Sequence, residues 1–281
     1  MTRSVILSEA KDLKERFFAP SGLRMTRRIY MLLAVDIGNT SIAFGVFRGS
    51  KLVKTFRVSS QQGDCFVVPT GLLAMTGKIN AAIICSVVPK LIPVIVKAIK
   101  KTTGVTPVVV GKDIKLPIKN NYKNPRQVGQ DRLVDAIAVK EIYGAPAIIV
   151  DSGTAITFDY ISKKGDYEGG LIMPGIDISL KALYERAALL PDVKLKNDKG
   201  LALIGKDTVG SIKSGLLNGF GSLCDGVIKR IKTEHGANIK VIGTGGYMGL
   251  IKKYSDSIDT ADEFLTLKGL RIIFCLTSSG S

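Results

Sequence analysis

The sequence predicts an α/β protein made of two similar domains, and two observations carry that reading. Short apolar runs alternate with longer stretches of helical period, and one strand–turn–strand pattern occurs twice. Residues 32–47 read Leu32-Leu-Ala-Val-Asp36-Ile-Gly38-Asn39-Thr40 and continue into a second apolar run. Residues 147–161 read Ala147-Ile-Ile-Val-Asp151-Ser-Gly153-Thr154 and do the same. From Asp36 to Asp151 is 115 residues, about one small domain and too long for a solenoid period.

The elements follow in order. Strands are expected at Leu32–Val35, Ile42–Phe47, Leu52–Val58 and Ala82–Cys85, then Val108–Val110, Ala147–Val150, Ala155–Tyr160, Gly170–Met173 and Ile239–Ile242. Helices are expected at Leu91–Lys101, Leu133–Tyr143, Ser179–Leu190 and Ser211–Thr233, where apolar residues recur on one stripe. Gly and Pro mark the joints. Residues 1–30 scatter charge among short apolar pieces, and Met31 opens a clean strand. Met31 is therefore expected as the natural start, with residues 1–30 an upstream segment outside the fold, 31–145 one domain and 146–281 the other.

Composition narrows the chemistry. The chain has 281 residues, 46% hydrophobic and 23% charged, so a substantial core is affordable and global disorder is out. His235 is the single histidine, which leaves no His-rich metal site, and its neighbours Thr233, Glu234 and Gly236 read as a surface turn. The cysteines Cys65, Cys85, Cys224 and Cys275 form no C-x-x-C pair, as expected for reduced thiols in a cytosolic protein. The apolar region Ile83–Val96 is interrupted by Pro89, Lys90 and Pro93, short of the ~18 apolar residues of a membrane span. No signal-peptide core precedes it, so a cytoplasmic location is expected. The formal charge of +16 is spread over scattered lysines rather than a basic patch. That suits an anionic small substrate better than nucleic acid.

The paired turns carry the chemistry. In Asp-x-Gly-(Asn)-Thr, the Asn present in the first copy only, the glycine lets backbone approach a ligand, and the hydroxyl and turn N–H groups suit phosphate oxygens. The carboxylate at the strand end suits a cation or its water. A third cluster, Gly243-Thr244-Gly245-Gly246, offers further exposed backbone. There is no P-loop and no G-x-G-x-x-G after the first strand.

Two strand–DxGT–strand hairpins with a late glycine cluster resemble the acetate and sugar kinase/Hsp70/actin superfamily. Further stretches narrow the resemblance: Ser86-Val-Val-Pro89, Asn121-Tyr-Lys-Asn-Pro125, Gly129-Gln-Asp-Arg132, Gly169-Gly-Leu-Ile-Met-Pro-Gly175 and Leu265-Thr-Leu-Lys-Gly-Leu270. With the two Asp-x-Gly turns, they are similar in order and kind to type III pantothenate kinases over about residues 31–275. The resemblance implies two RNase H-like domains with a cleft between them, a homodimer, and transfer of the ATP γ-phosphoryl group to pantothenate, the first step of coenzyme A synthesis.

It also implies site residues. Asp36, Ile37, Gly38, Asn39, Thr40, Ser41, Ile42 and Ala43 would wrap the ATP phosphates, with Asp36 facing Mg2+, and Thr154 would contact ATP from the second domain. Asp131 would accept the hydroxyl proton; its plainer reading is a helix N-cap. Tyr122, Gly129, Gln130, Asp131, Arg132 and Thr208 would hold pantothenate, Arg132 pairing with its carboxylate; the plainer readings are loop packing for Tyr122 and an N-cap for Thr208. Asp151 would bind K+ or NH4+. The segment between Arg57 and Ile83 departs from the pattern, and Gln61–Pro69 finds no place in it. The tail Cys275–Ser281 reads as frayed. The alternative reading is a catalytically inactive relative serving as a transcription-related accessory protein, against which the intact Asp36, Asp131, Asp151 and Thr154 stand.

Overall fold

The computed structural model describes residues 30–60, 78–195 and 201–278. Residues 1–29, 61–77 (with the whole unplaced Gln61–Pro69 region and Cys65), 196–200 and 279–281 lie outside the described residues.

Two five-stranded sheets repeat one topology. The first contains β1 (Met31–Ile37), β2 (Ser41–Arg48), β3 (Lys51–Ser59), β4 (Ala81–Ser86) and β5 (Val108–Val109), in the order β3-β2-β1-β4-β5. The second contains β6 (Ala147–Ser152), β7 (Ala155–Ile161), β8 (Tyr167–Pro174), β9 (Lys240–Thr244) and β10 (Thr260–Ala261), in the order β10-β9-β6-β7-β8. In each, three antiparallel strands joined by tight turns are followed by parallel neighbours. Parallel pairing needs a crossover, which α1 (Ile92–Thr103) supplies in the first sheet and α3 (Ile176–Arg186) and α4 (Thr208–His235) in the second. This is the RNase H-like arrangement, and two in tandem make the actin-like fold that the resemblance implied.

The central strands β1 and β6 are covered on both faces, which is why they read as continuous apolar runs. Alternation then decides where their acids point. On β1, Leu33 and Val35 pack with Ile95 and Ile99 of α1, whereas Leu32 and Ala34 face the other way. On β6, Ile148 and Val150 pack with α4, whereas Ala147 and Ile149 face the other way. Those opposite faces share a single core with two helices, α2 (Gln130–Ile142) and, following the short α5 (Met248–Ile251), α6 (Leu265–Ser278). Asp36 and Asp151 continue the parities of Leu32 and Ala147, so both are aimed at the α2 layer.

Several boundaries differ from expectation for physical reasons. The second sheet begins after the expected 145/146 boundary, but α6 returns to pack on α2 and on β1, β2 and β4 of the first sheet. Gly269 permits the α2–α6 approach: a Cβ there would meet the Val134 carbonyl oxygen at 2.6 Å. The tail is not frayed over its described part, because α6 is apolar on the side it buries and runs on to Ser278. Tyr30, placed with the extension by the sequence, packs on Phe274 and bonds Cys275 Sγ through its hydroxyl at 2.8 Å. The helix expected at Ser179–Leu190 begins at Ile176 directly after Gly175 and stops at Arg186. His235 is not in a surface turn; it ends α4, with its ring stacked on Tyr160 at 4.3 Å. Cys85, Cys224 and Cys275 form no disulfide among the described residues, and the first two are buried.

Candidate active site

The two Asp-x-Gly turns face each other across a hollow of about 210 Å³ between the sheets. In the first, the Gly38 N–H donates to the Ser41 carbonyl at 3.0 Å; in the second, the Gly153 N–H donates to the Ala155 carbonyl at 3.0 Å. The tips touch, with Thr40 Oγ1 and Thr154 Oγ1 3.2 Å apart. The glycine cluster forms a third wall. Gly245 has φ +93°, and a Cβ there would stand 2.4 Å from Asp151 Oδ1, so both its conformation and its closeness to the acid call for glycine.

The floor comes from α2. Gly129 caps that helix, so Asp131 is not the N-cap; it lies in the first turn, where its Oδ1 accepts the Arg132 N–H at 2.8 Å. A side chain on Gly129 would place its Cβ 2.4 Å from that oxygen. Asp135 is one turn further on and 4% exposed.

These acids crowd one another. Burial, and then the neighbouring Asp131 and Asp151 charges, push the Asp36 carboxyl up to about 7. Burial, and then Asp131 and Asp159, push Asp151 up to about 7. Burial raises Asp131 as well, against the pull of the Arg132 N–H. Asp135 is raised well above the carboxylate range by burial first and Asp151 next. Its Oδ1 and the Ser152 Oγ are buried without a hydrogen-bond partner. Such a site asks for positive charge. No group of three or more metal-ligating side chains forms a ready cage among the described residues. The donor set therefore fits a hard cation held by one or two carboxylates together with phosphate oxygens and water, the usual manner of Mg2+. Asp36, at a strand end beside the phosphate-type turn, fits that role. Asp151, pressed against the Gly245 turn and acting on Asp135 with its orphaned Oδ1, fits a monovalent cation.

The remaining expected residues divide. Asp36, Gly38, Asn39, Thr40, Ser41, Asp131, Arg132, Asp151 and Thr154 line the hollow. Ile37 and Ile42 are buried in the first sheet's core, and Ala43 is half-buried between neighbouring strands. Arg132 is anchored by Asp159: Nε lies 2.9 Å from Oδ1, and Nη2 lies 2.6 Å from the same oxygen but off a good hydrogen-bonding direction. Tyr167 and Thr157 hydroxyls also donate to Asp159, at 2.6 and 3.2 Å. The Tyr122 ring packs over Gly169 beside this group, outside the hollow. Gln130 lies against Gly111. Thr208 is in the first turn of α4, which Asp207 caps through the Gly210 N–H, and it does not reach the hollow.

Sequence reasoning missed Arg57, Asp135, Asp159 and Thr266. Asp135 was available as the i+4 neighbour of Asp131 on a helix, and Arg57 needed the strand register. A larger hollow of about 650 Å³ lies between Phe158, Tyr160 and His235, but none of the cleft acids lines it.

Comparison with known proteins bears on this geometry. A family model described as type III pantothenate kinase matches residues 32–230. The type III pantothenate kinase of Moorella thermoacetica is 43% identical over 252 residues, covering 87% of this chain and 98% of that protein. That of Geotalea daltonii is 42% identical with the same coverage. Among solved structures, a Baf family transcriptional activator from Campylobacter jejuni superposes with a TM-score of 0.56 at 22% identity, covering 88% of this chain and 99% of that one, a likeness of fold.

Proposed function

The chain belongs to the type III pantothenate kinase family; it phosphorylates pantothenate at the expense of ATP in coenzyme A synthesis, and we propose that it does so in the cleft between the two sheets with Asp131 as proton acceptor. The observation that carries this assignment is the meeting of Thr40 and Thr154 above an acid floor. Two phosphate-type turns converge on one point, and a carboxylate stands at a helix start beneath them.

The triphosphate lies along Gly38–Ser41 and Thr154, which line the hollow and whose Thr40 and Thr154 hydroxyls meet over it. The pantothenate hydroxyl comes from the α2 side. Asp131 takes its proton as the oxygen bonds to the γ-phosphorus, and the bond from that phosphorus to the β,γ-bridging oxygen breaks, leaving its electron pair on ADP. Burial raises the Asp131 carboxyl, which makes it a better base for a weakly acidic alcohol once nearby cations hold it ionised. Mg2+, when bound at Asp36, would neutralise phosphate charge. K+ or NH4+ would offset the buried charge at Asp151.

Gly129 to Arg132 and Tyr122 hold pantothenate. Arg132 Nη2, buried without an aligned acceptor, is the donor left for the substrate once Asp159 has fixed the rest of the fork. Thr208 fits this scheme in a homodimer, since it lies outside its own cleft. A second copy has a surface to cover in edge strand β8 and α3, which expose Leu171, Ile172, Ile178, Leu183 and Tyr184. No helix among the described residues is long and apolar enough to cross a membrane, in keeping with work in the cytoplasm.

A coupled assay of ADP release, with and without pantothenate and K+, tests the reading. Release that depends on both supports it; release indifferent to pantothenate makes the chain an ATPase.

A further inference from the structure

Arg57 stands on β3, an edge strand, yet lines the cleft beside Asp36, Thr40, Asp131 and Asp151. The strand register explains how. Arg57 pairs with Ala43 on β2, and Ala43 pairs with Asp36 on β1. Residues directly opposite in a sheet share a face, so these three form a row about 10 Å long, two strand spacings of roughly 4.8 Å. The middle member carries only a methyl group, and a guanidinium can lie across it. Arg57 Nη1 comes to 3.6 Å from where a Cβ on Gly246 would stand, so a first-sheet side chain reaches the glycine turn of the second. Its charge acts on both Asp36 and Asp151.

The balance of charge in the hollow gives this reach a purpose. Asp36, Asp131, Asp151 and Glu263 line it, against two basic side chains, Arg57 and Arg132. The Arg132 charge is offset by its ion pair with Asp159, and its remaining donor is given to pantothenate in the scheme above. A nucleotide tail thus meets four acids, and Arg57 is the basic fork over the cleft mouth. A planar guanidinium matches two phosphate oxygens at once, which an ammonium does not.

We infer that Arg57 is a further catalytic residue, gripping the β- and γ-phosphate oxygens of the nucleotide from the mouth of the cleft, across from the Thr154 turn. This rests on the kinase reading above. As the pantothenate oxygen bonds to the γ-phosphorus and its proton passes to Asp131, the electron pair of the broken bond stays on the β-phosphate, where Arg57 balances the growing charge. Arg57 itself exchanges no proton.

The test compares the full chain with Arg57→Ala, Arg57→Gln and Arg57→Lys, measuring ATP and AMP affinity by calorimetry, turnover by ADP release, and thermal midpoint. Arg57→Ala and Arg57→Gln are expected to lose roughly 10- to 100-fold in ATP affinity, the scale of a hydrogen bond to a charged group. AMP affinity should hold, Arg57→Lys should recover part of the loss, and the midpoint should stay put, as befits an exposed position. Equal losses for ATP and AMP overturn the inference, as does ATP affinity that is unchanged. A fall in the midpoint with the ATP-to-AMP ratio unmoved also overturns it, by assigning Arg57 to bracing Asp36 and Asp151. The wild-type chain separates the two claims: tighter binding of ATP than AMP that disappears in Arg57→Ala, without pantothenate-dependent ADP release in wild type, supports the phosphate grip and rejects the kinase reading alone.

Discussion

Thr40 and Thr154 come within 3.2 Å of each other through their hydroxyls, although each belongs to a different sheet and 114 residues separate them. Each hydroxyl terminates a strand-turn-strand unit whose acid points toward α2. A phosphate between the tips would replace this mutual hydrogen bond with two charge-assisted ones. Thr40→Val and Thr154→Val keep the shape and remove the oxygen. Each should weaken ATP binding about tenfold or more, since hydrogen bonds to charged groups contribute roughly 1.5–3 kcal/mol. The unliganded midpoint should barely move, because the hydroxyl pair is exposed. Calorimetric titration with ATP checks both; unchanged affinity in the double variant would remove the turns from the phosphate site.

Asp131 is held by its own helix: Gly129 caps α2 and the Arg132 N–H fixes one carboxylate oxygen at 2.8 Å. Asp131→Asn preserves volume and removes the base. Turnover should fall on the order of 10²–10⁴-fold, while ATP affinity stays near wild type. Single-turnover kinetics with pantothenate distinguishes this from a binding defect. Turnover within a few-fold of wild type would move the base elsewhere, with Asp135 the next carboxylate along the helix.

Much of this was legible in the sequence, and the reason is local. Strands such as β1 and β6 are buried on both faces, so continuous apolar runs announced them, and the two Asp-x-Gly turns with their nearby threonines are defined by adjacent residues. What depended on long-range pairing was not legible. Arg57 reads as one more basic residue on a strand until the register with Ala43 and Asp36 is known. Asp159 reads as a strand residue until Arg132, 27 positions away, folds onto it. The helix α6 escaped because its buried residues serve the other sheet, a contact no local period specifies.

Gly269 is the point where that helix approaches α2. A Cβ there would press on the Val134 oxygen at 2.6 Å and the Ala138 Cβ at 3.1 Å. Gly269→Val should destabilise the fold by about 1–3 kcal/mol through overpacking. Because α2 carries Asp131 and Asp135, turnover should fall along with stability. Denaturant unfolding together with the ADP-release assay checks the pairing; a stable, fully active Gly269→Val protein would mean that the helices can separate without disturbing the acids.

Asp151 provides a prediction on monovalent cations. Replacing K+ by Na+ should lower activity in the wild type, and the difference should vanish in Asp151→Ala. The same contrast should be visible without turnover, as a K+-dependent rise in thermal midpoint that the variant lacks. A variant that still distinguishes the two ions in both measurements would place the cation elsewhere.

The raised carboxyls also set a pH dependence. An ordinary aspartate titrates near 3.9, whereas Asp36 and Asp151 are pushed up to about 7 in the fold. Between those values the folded chain holds protons that the unfolded chain has released. The stabilisation is therefore complete below about pH 4 and is lost as pH rises through about 7. The cation-free protein should melt at progressively lower temperature from pH 5 to pH 8. Asp225 acts in the opposite sense: burial pushes it up, but hydrogen bonds from Ser255 and Ser257 outweigh that and lower it, so its contribution is lost only under more acidic conditions. Asp151→Asn replaces a titrating acid by a neutral amide, and should flatten the profile and melt higher than wild type at pH 8. Saturating Mg2+ and K+ should flatten the wild-type profile in the same direction, because cations compensate the charge that deprotonation exposes. Thermal melts at fixed ionic strength, with and without the cations, decide it: a midpoint that climbs from pH 5 to pH 8 in the bare wild type would show that Asp36, Asp131 and Asp151 do not repel one another as their convergence requires.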